Sequence, residues 1–439
     1  MRGVHGCRIL ARTRCAVAAL AVLALPAPAY AGDTIASSPQ RDDTVATRPR
    51  PEVEPVGVPA GGFRLYPRIG YALEHDDNIF AVEHDKESDV ITTLSPGLVL
   101  ASEWARHAVK FAAQADRGRY RDQPSEDYDD WQLATSARMD LSGRSEMTLG
   151  AAHMKLHEPR ESPDAAGGLN PTQFKSTVAS FDLTIRRGAL SISPSAMLNR
   201  LDYENAQGVQ LGEPVVIRQD DRDRNERVLG LQASYDVGGP GRAFVRARSI
   251  VRDYDDVQAF TGRDRSSDGF ELGIGATLDL GGITRTALFV GRREQRYSAP
   301  LLDIRAPVFE ASVIWKPTEL TTVEFETNRT FGETTAIFYS GYLSTSARLG
   351  VDHELLRNVL LNGELLRVVD EYEGLGAAHR RDETLGLRFG FTWLAHRNLA
   401  LSIHHEFTER SSDDNTIPAG LPDGDFERQS SWLRLELRR

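Results

Sequence analysis

The chain has 439 residues, two cysteines and a formal net charge of −11, an acidic balance that disfavours nucleic acid as a partner. Its mean hydropathy is negative, and after the N-terminus no stretch approaches the roughly 18 consecutive apolar residues that a membrane-spanning helix needs. The mature chain is therefore either soluble or crosses lipid as β-strands, in which only every second side chain must be apolar.

Residues 1–31 have the features of a secretory signal peptide. Four arginines precede an apolar run over residues 15–25, and a small-residue cleavage site ends at Ala31. We expect cleavage after Ala31, and a retained anchor or a lipid-modified cysteine is the alternative. Both cysteines, Cys7 and Cys15, lie in this segment, so the mature chain can form no disulfide. The segment has four arginines and no carboxylate, so its removal takes the charge from −11 to −15.

Residues 32–61 contain five prolines and scattered charges, with no apolar periodicity. This composition predicts a flexible, proline-rich periplasmic lead-in to the domain that follows. A docking arm for a periplasmic partner is the functional alternative.

Residues 62–439 repeat one pattern, in which two alternating apolar/polar runs are joined by a very short turn and longer acidic loops separate the pairs. Turns such as Arg187-Gly188 and Gly281-Gly282 are typical of the short connections. We count about 18 strands by alternation and turn signals. They cover residues 64–75, 90–103, 107–121, 129–142, 145–157, 175–186, 189–203, 224–237, 242–254, 268–279, 283–297, 306–316, 321–332, 339–354, 359–372, 381–393, 399–410 and 427–438.

The strands predict an all-β fold, a closed antiparallel transmembrane up-and-down β-barrel with short periplasmic turns and long extracellular loops. Leu385, Leu387 and Phe389 fall on one face of a strand, whereas Gly386 and Arg388 fall on the other. About 18 strands enclose a lumen too wide for side chains to fill, so the apolar face must point outward, and only lipid can cover it. The predicted location is the outer membrane.

Charged residues of both signs occupy the opposite, polar face. We expect them to line a hydrated lumen, although each could instead do no more than pair with a neighbouring strand. The candidate lumen-lining residues are Lys110, Arg138, Asp182, Arg186, Arg246, Arg248, Glu271, Glu324, Glu326, Glu364, Arg388, Glu406, Arg434 and Glu436.

Catalytic and metal chemistry have weak support in the sequence. Glu324 and Glu326 share a strand face about 7 Å apart, a separation that an inverting glycosidase pair could use, but any acidic strand gives this spacing. His404 and His405 are adjacent and point to opposite faces, so they cannot share an ion. Acidic loops such as residues 83–89 could bind Ca²⁺ or bridge to lipopolysaccharide, yet none has the spacing of a calcium loop. We predict no enzyme activity, no cofactor and no metal site.

The opening strand from Leu65 to Phe80, which leads into Asp77-Asn78-Ile79-Phe80, resembles the outer-membrane β-barrel porin 2 family. The resemblance extends from about Phe63 to Arg439 through its style of repeat. It implies a Gram-negative outer-membrane barrel associated with capsular or exopolysaccharide, and it carries no catalytic residues over. Implied partners are outer-membrane lipid and lipopolysaccharide, the barrel-assembly machinery, polysaccharide and periplasmic export components. The chain departs from outer-membrane barrels in ending with Arg438 and Arg439 in place of an aromatic residue.

These observations favour a channel for export or passage of surface polysaccharide. A structural or adhesive surface barrel, or a general diffusion porin, is the alternative. A hydrolase acting on envelope glycans through Glu324 and Glu326 is the third hypothesis.

Overall fold

The computed structural model describes residues 43–141, 145–165, 167–210, 213–416 and 424–439. The predicted signal peptide and residues 32–42 of the predicted lead-in lie outside these ranges. The described chain is almost entirely β-sheet, with two short 3₁₀ turns at Pro124–Glu126 and Asp220–Arg222. None of the helices in these ranges is long and apolar enough to cross a membrane.

Eighteen strands form one closed wall. They are β2 (Phe63–Asp76), β3 (Asp89–Ser102), β4 (Ala108–Tyr120), β5 (Tyr128–Asp140), β6 (Glu146–His157), β7 (Gln173–Arg187), β8 (Leu190–Tyr203), β11 (Arg224–Gly238), β12 (Gly241–Tyr254), β13 (Ser267–Leu280), β14 (Thr284–Tyr297), β15 (Ile304–Thr318), β16 (Thr321–Gly332), β17 (Tyr339–Leu356), β18 (Val359–Gly374), β19 (Arg380–His396), β20 (Leu399–Asp414) and β21 (Phe426–Arg438). Three further strands are short: β1 (Val58–Ala60) pairs with the start of β2, whereas β9 (Ala206–Gln210) and β10 (Glu213–Ile217) form a separate hairpin.

Each wall strand pairs antiparallel with its neighbours, and the first strand closes the ring on the last. Tyr71 of β2 faces Leu435 of β21 on one side and Leu94 of β3 on the other. Closure leaves no wall strand with an unpaired edge, which a bilayer requires because its core offers backbone groups no other hydrogen-bond partner. The prediction of a closed antiparallel barrel of 18 strands is confirmed.

Strand alternation separates two surfaces. On β13, Phe270, Leu272 and Ile274 are 53%, 50% and 61% exposed, whereas Glu271 between them is 5% exposed. We call the exposed apolar side the outer face and the opposite side the inner face. An apolar belt of this kind is stable only against lipid, because water would oppose its exposure.

The two ends of the barrel differ as the sequence predicts. Connections of a few residues, such as Gly188-Ala189 between β7 and β8, define the short-turn end, where the wall also begins and ends. The opposite, long-loop end carries residues 158–172 between β6 and β7, residues 204–223 between β8 and β11, and residues 255–266 between β12 and β13.

The strand predictions agree with the structure within a few residues, but the sequence did not predict the β9–β10 hairpin. In this hairpin Val209 pairs with Pro214. A Cβ atom on Gly208 would lie 2.8 Å from Ile217 Cδ1, so a larger residue at this position would require the Ile217 side chain to shift. Its five-residue strands lie within a long loop and offer too short an alternation to recognise.

Candidate channel interior

An arginine-rich group lines the inner face of β11–β15. We call this group the basic wall, and its members are Arg224, Arg246, Arg248, Arg252, Arg293, Glu226, Glu271 and Glu310. Arg246 donates to Glu310 at 2.6 Å and to Glu271 at 3.2 Å, although β14 separates the strands of Arg246 and Glu271 from that of Glu310. Five arginines against three glutamates leave this surface with an excess of positive charge.

Aromatic rings hold part of the basic wall in place. The guanidinium carbon of Arg246 lies 3.6 Å from the ring centroid of Phe289, and Phe289 stacks on Phe244 at 6.3 Å. A cation above an aromatic face is attracted by the ring quadrupole, and the ring also limits the rotamers of the long side chain. Arg246 is therefore a fixed positive charge.

A glutamate-rich group lines the inner face of β16–β20. We call it the acidic wall, and its members are Glu324, Glu326, Glu364, Glu406, Arg348 and Arg388. Arg348 lies 2.7 Å from Glu364 and within 4 Å of Glu324 and Glu326, and Arg388 lies 2.6 Å from Glu406. Four carboxylates share two guanidinium groups, so the net charge is opposite to that of the basic wall.

Residues 158–165 and 167–172, which we call the crossing loop, fold inward at the long-loop end of the barrel. Glu161 Oε2 lies 2.6 Å from Arg428 on β21, although β2–β5 separate β21 from β6, where the loop begins. Asp164 Oδ1 accepts hydrogen bonds from Thr334 Oγ1 at 2.9 Å and from the Thr335 backbone N–H at 2.8 Å, in the loop after β16. Contacts with β21 on one side and with the loop after β16 on the other place the crossing loop across the long-loop end of the barrel.

A buried ion pair fixes the start of the crossing loop. Arg222 donates to both oxygens of Glu158, at 3.0 and 2.8 Å, and its guanidinium lies over the ring of Tyr203 at 4.0 Å. Burial alone would lower the pKa of Arg222, but the hydrogen bonds that it donates to Glu158 and the charge of that carboxylate raise the pKa above the usual value for arginine. The pair therefore stays ionised and holds the loop, since removing either partner would leave a buried charge uncompensated.

Residues 43–57, which we call the entry segment, lie inside the short-turn end. The backbone N–H of Val45 donates to Thr322 Oγ1 at 2.9 Å, and Arg50 lies 2.9 Å from Glu354 Oε2. On the far side of the acidic wall, Arg438 of β21 donates to the Val53 carbonyl at 3.1 Å. The sequence predicts a flexible lead-in here, whereas this part of it contacts the inner face from β16 to β21.

Ionic contacts within the entry segment reinforce its position. Arg48 also reaches Glu354, at 3.4 Å, so one carboxylate holds two arginines of the segment. Burial raises the pKa of Glu54 above its usual range, although the Arg50 backbone N–H donates to this carboxylate at 2.5 Å. The composition that suggested flexibility thus supplies two cations, the buried Arg50 and the partly buried Arg48, whose shared anion lies on the barrel.

The sequence matches the model of one protein family, described as "Putative beta-barrel porin 2", over residues 50–438. The match covers almost the whole barrel and most of the chain. The chain belongs to this porin family. No curated protein matches the sequence.

Solved outer-membrane barrels resemble the porin in structure. OpdO of Pseudomonas aeruginosa aligns with a TM-score of 0.43 and 14% identity, covering 86% of this chain and 97% of that one. OpdK of the same organism, solved with vanillate, gives 0.44 and 10%, covering 85% and 99%. The ferric citrate transporter FecA gives 0.44 and 9%, covering 85% and 78%. At these identities the likeness concerns the fold alone.

The structure groups some of the predicted lumen-lining residues of the porin and separates others. Arg246, Arg248 and Glu271 belong to the basic wall. Glu324, Glu326, Glu364, Arg388 and Glu406 belong to the acidic wall. Outside both walls lie Lys110, Arg138, Asp182, Arg186, Arg434 and Glu436. Of these, Arg138 lies 3.4 Å from Asp140, and Glu436 lies 3.6 Å from Arg438. That these residues line a conducting lumen stays a prediction.

Several charged residues of the interior were not among the candidates. By two-residue alternation, Arg348, Glu310 and Arg252 fall on the same inner face of their strands as the predicted residues. Alternation alone could therefore have identified them. Arg222 and Glu158 lie in loops 64 residues apart and carry no periodic signal. Their pairing depends on the closed barrel and was not accessible from sequence.

The interior gives the hydrolase hypothesis no support. Both Glu324 and Glu326 lie beside Arg348, at 3.8 and 3.6 Å, as expected of a structural ion-pair cluster. The ring of His404 stacks on Trp432 at 5.1 Å. Within the described ranges, no group of three or more histidine, cysteine, aspartate or glutamate side chains is arranged to hold a metal ion.

Proposed function

We propose that this porin is a selective outer-membrane channel for small hydrated solutes. One observation carries the proposal: the closed barrel has an apolar outer face, and its inner face carries a basic wall and an acidic wall of opposite net charge. A polar interior of this kind holds water, and a field between the two walls orients dipolar solutes and favours particular charge distributions. The crossing loop and the entry segment narrow the path at its two ends, which favours small solutes over wide, unselective diffusion.

Planar lipid bilayers provide the test. Purified protein that migrates as a heat-modifiable barrel should give discrete single-channel currents whose ion selectivity changes when either wall is altered. Folded protein that inserts but conducts nothing under any voltage or salt condition would contradict the proposal.

Passage of surface or capsular polysaccharide is the finer proposal, and its support is the family resemblance. The contacts of the crossing loop at 2.6 and 2.8 Å would have to open for a polymer to thread through the interior. A strain that lacks the protein should then lose surface polysaccharide and accumulate it in the periplasm. Unchanged surface polysaccharide, together with lost uptake of a small solute, would favour the channel for small solutes. Unchanged polysaccharide and uptake with lost surface adhesion would favour a structural or adhesive barrel.

A further inference from the structure

A cavity of about 450 Å³ lies among the loops of the long-loop end, beside the crossing loop. Its volume is in the range of small-molecule sites. Its lining includes Arg222, Arg224, Arg265, Tyr254 and Phe260. Phe260 is 85% exposed, so an aromatic ring stands in solvent where the cavity opens.

Among the fully buried side chains around this cavity, positive charge exceeds negative charge, and the more exposed Arg218, Asp164 and Asp221 complete its charged lining. The buried arginines are Arg222, Arg224, Arg252, Arg265 and Arg293, and the buried glutamates are Glu158, Glu226 and Glu333. Two of these glutamates also line the cavity, and their oxygens are already engaged. Glu158 is held by Arg222, and Glu333 binds Arg252 and accepts hydrogen bonds from the Tyr254 and Tyr297 hydroxyls at 3.2 and 3.0 Å.

Arg265 carries the unmatched charge into the cavity. It is 3% exposed, and among the described residues it donates only to the carbonyls of Tyr339 at 3.3 Å and Ser340 at 2.9 Å. Its Nε is buried without a hydrogen-bond partner among the described residues, and none of their carboxylates lies within ion-pair distance. A guanidinium has five N–H donors, and a buried cation without an anion is unfavourable unless a ligand supplies one.

Arg293 adds to the positive charge behind the cavity. It donates to Gln295 at 3.0 Å, lies over the ring of Phe331 at 4.7 Å and also has a buried Nε without a partner among the described residues. It lies close enough to Arg252 and Glu333 for their charges to act on it. Among the described residues, neither Arg265 nor Arg293 therefore forms a direct ion pair with a carboxylate.

We propose that the cavity beside Arg265 binds the oxyanion of a sugar-sized, ring-bearing solute. The inference deepens the proposed channel function, on which it rests, by naming the class of solute. The forked donors of Arg265 suit a carboxylate or a phosphate. Tyr254 and Phe260 supply apolar ring faces of the kind that pack against the ring of a solute.

Binding to the detergent-solubilised, folded barrel tests the site by calorimetry with glucuronate, glucose 6-phosphate and glucose. Either anion should bind at least about tenfold more tightly than glucose, the ratio that one charge-assisted hydrogen bond gives. Whichever of the two anions binds more tightly shows whether the site prefers a carboxylate or a phosphate. Glucose that binds as tightly as both anions, or no binding by any of the three, overturns the proposal.

Matched variants locate the effect. Arg265→Gln should weaken anion binding about tenfold or more and leave glucose unchanged, whereas Arg263→Gln should alter neither. Arg263 lies in the same loop as Arg265, between β12 and β13, and donates to the Ile337 carbonyl in the loop between β16 and β17. It does not line the cavity. Arg265→Gln that is heat-modifiable and binds anions like the wild type overturns the proposal. If that variant does not fold, the comparison of anions with glucose on the wild type decides.

This measurement is independent of conduction. A protein that binds glucuronate or glucose 6-phosphate and passes no current refutes the channel but not the anion site. A protein that conducts and binds neither anion refutes the site alone.

Discussion

Charged side chains of the inner face act as groups, because each guanidinium is shared. Arg348 of β17 lies among three glutamates of the acidic wall, two on β16 and one on β18, the two strands that pair with β17. Alternation in the sequence predicts that Glu324, Glu326 and Glu364 share a face. It does not predict which strands meet across the curvature, so the contact between Arg246 and Glu310, with β13 and β14 between their strands, could not be foreseen.

Replacing Arg348 should make the channel more selective for cations. Arg348→Gln removes the positive charge that Glu324, Glu326 and Glu364 share. One unit charge at about 4 Å changes the energy of a passing ion by about 1 kcal/mol in water. The ratio of cation to anion permeability, measured from reversal potentials in a salt gradient, should rise about fivefold or less after screening. Arg367→Gln is the control, because Arg367 lies on the outer face of β18, where it pairs with Glu383 of β19. Equal reversal potentials for both variants would show that the acidic wall does not face the ion path.

The wall strands follow from a two-residue periodicity, whereas the path of the loops does not. The strands alternate over ten or more residues and end at glycine-rich or polar turns, so local sequence is sufficient to predict them. The crossing loop is set by contacts with β21 and with the loop after β16, far away in the chain. The entry segment has the composition of a linker and is held by a carboxylate about 300 residues away, as the 304-residue separation of Arg50 and Glu354 shows.

Freeing the crossing loop should widen the channel. The double variant Glu161→Gln, Asp164→Asn weakens the contacts with Arg428, Thr334 and Thr335, and we expect a larger single-channel conductance with an unchanged barrel. Glu83→Gln is the matched control, since Glu83 lies in another loop of the same end and contacts only the exposed His84 among the charged side chains of the described part of the chain. A conductance no larger than that of the control would place the loop outside the narrowest part of the path.

Removing Glu354 should release the entry segment. Glu354→Gln leaves Arg50 and Arg48 without their carboxylate, and breaking a buried ion pair costs about 3–5 kcal/mol. The amide proton of Val45 should exchange at least about 100-fold faster in hydrogen-exchange mass spectrometry, and conductance should rise. Glu52→Gln is the control, because Glu52 is largely exposed and lies 3.8 Å from Arg357. Unchanged exchange in Glu354→Gln would mean that this pair does not hold the segment.

At the scale of the whole molecule, the apolar outer face makes stability depend on lipid. Ile274 lies on the outer face of β13 and is 61% exposed. Ile274→Arg should lower the free energy of unfolding in bilayers by about 2–4 kcal/mol if the residue lies near the bilayer midplane. The control Ser312→Arg places the same charge on the inner face of β15, opposite Glu326 of β16, where water can solvate it, and should change the denaturant midpoint little. Equal destabilisation by both variants would contradict the assignment of the two faces.

The entry segment also constrains the order in which the barrel matures. It lies ahead of the first wall strand, but its anchors Thr322, Glu354 and Arg438 lie on β16, β17 and β21, among the last parts of the chain to be synthesised. The inner surface on which it rests does not exist until β2 has met β21. Docking of these early residues is therefore a late event, and protection of the Val45 amide would report that the ring has sealed.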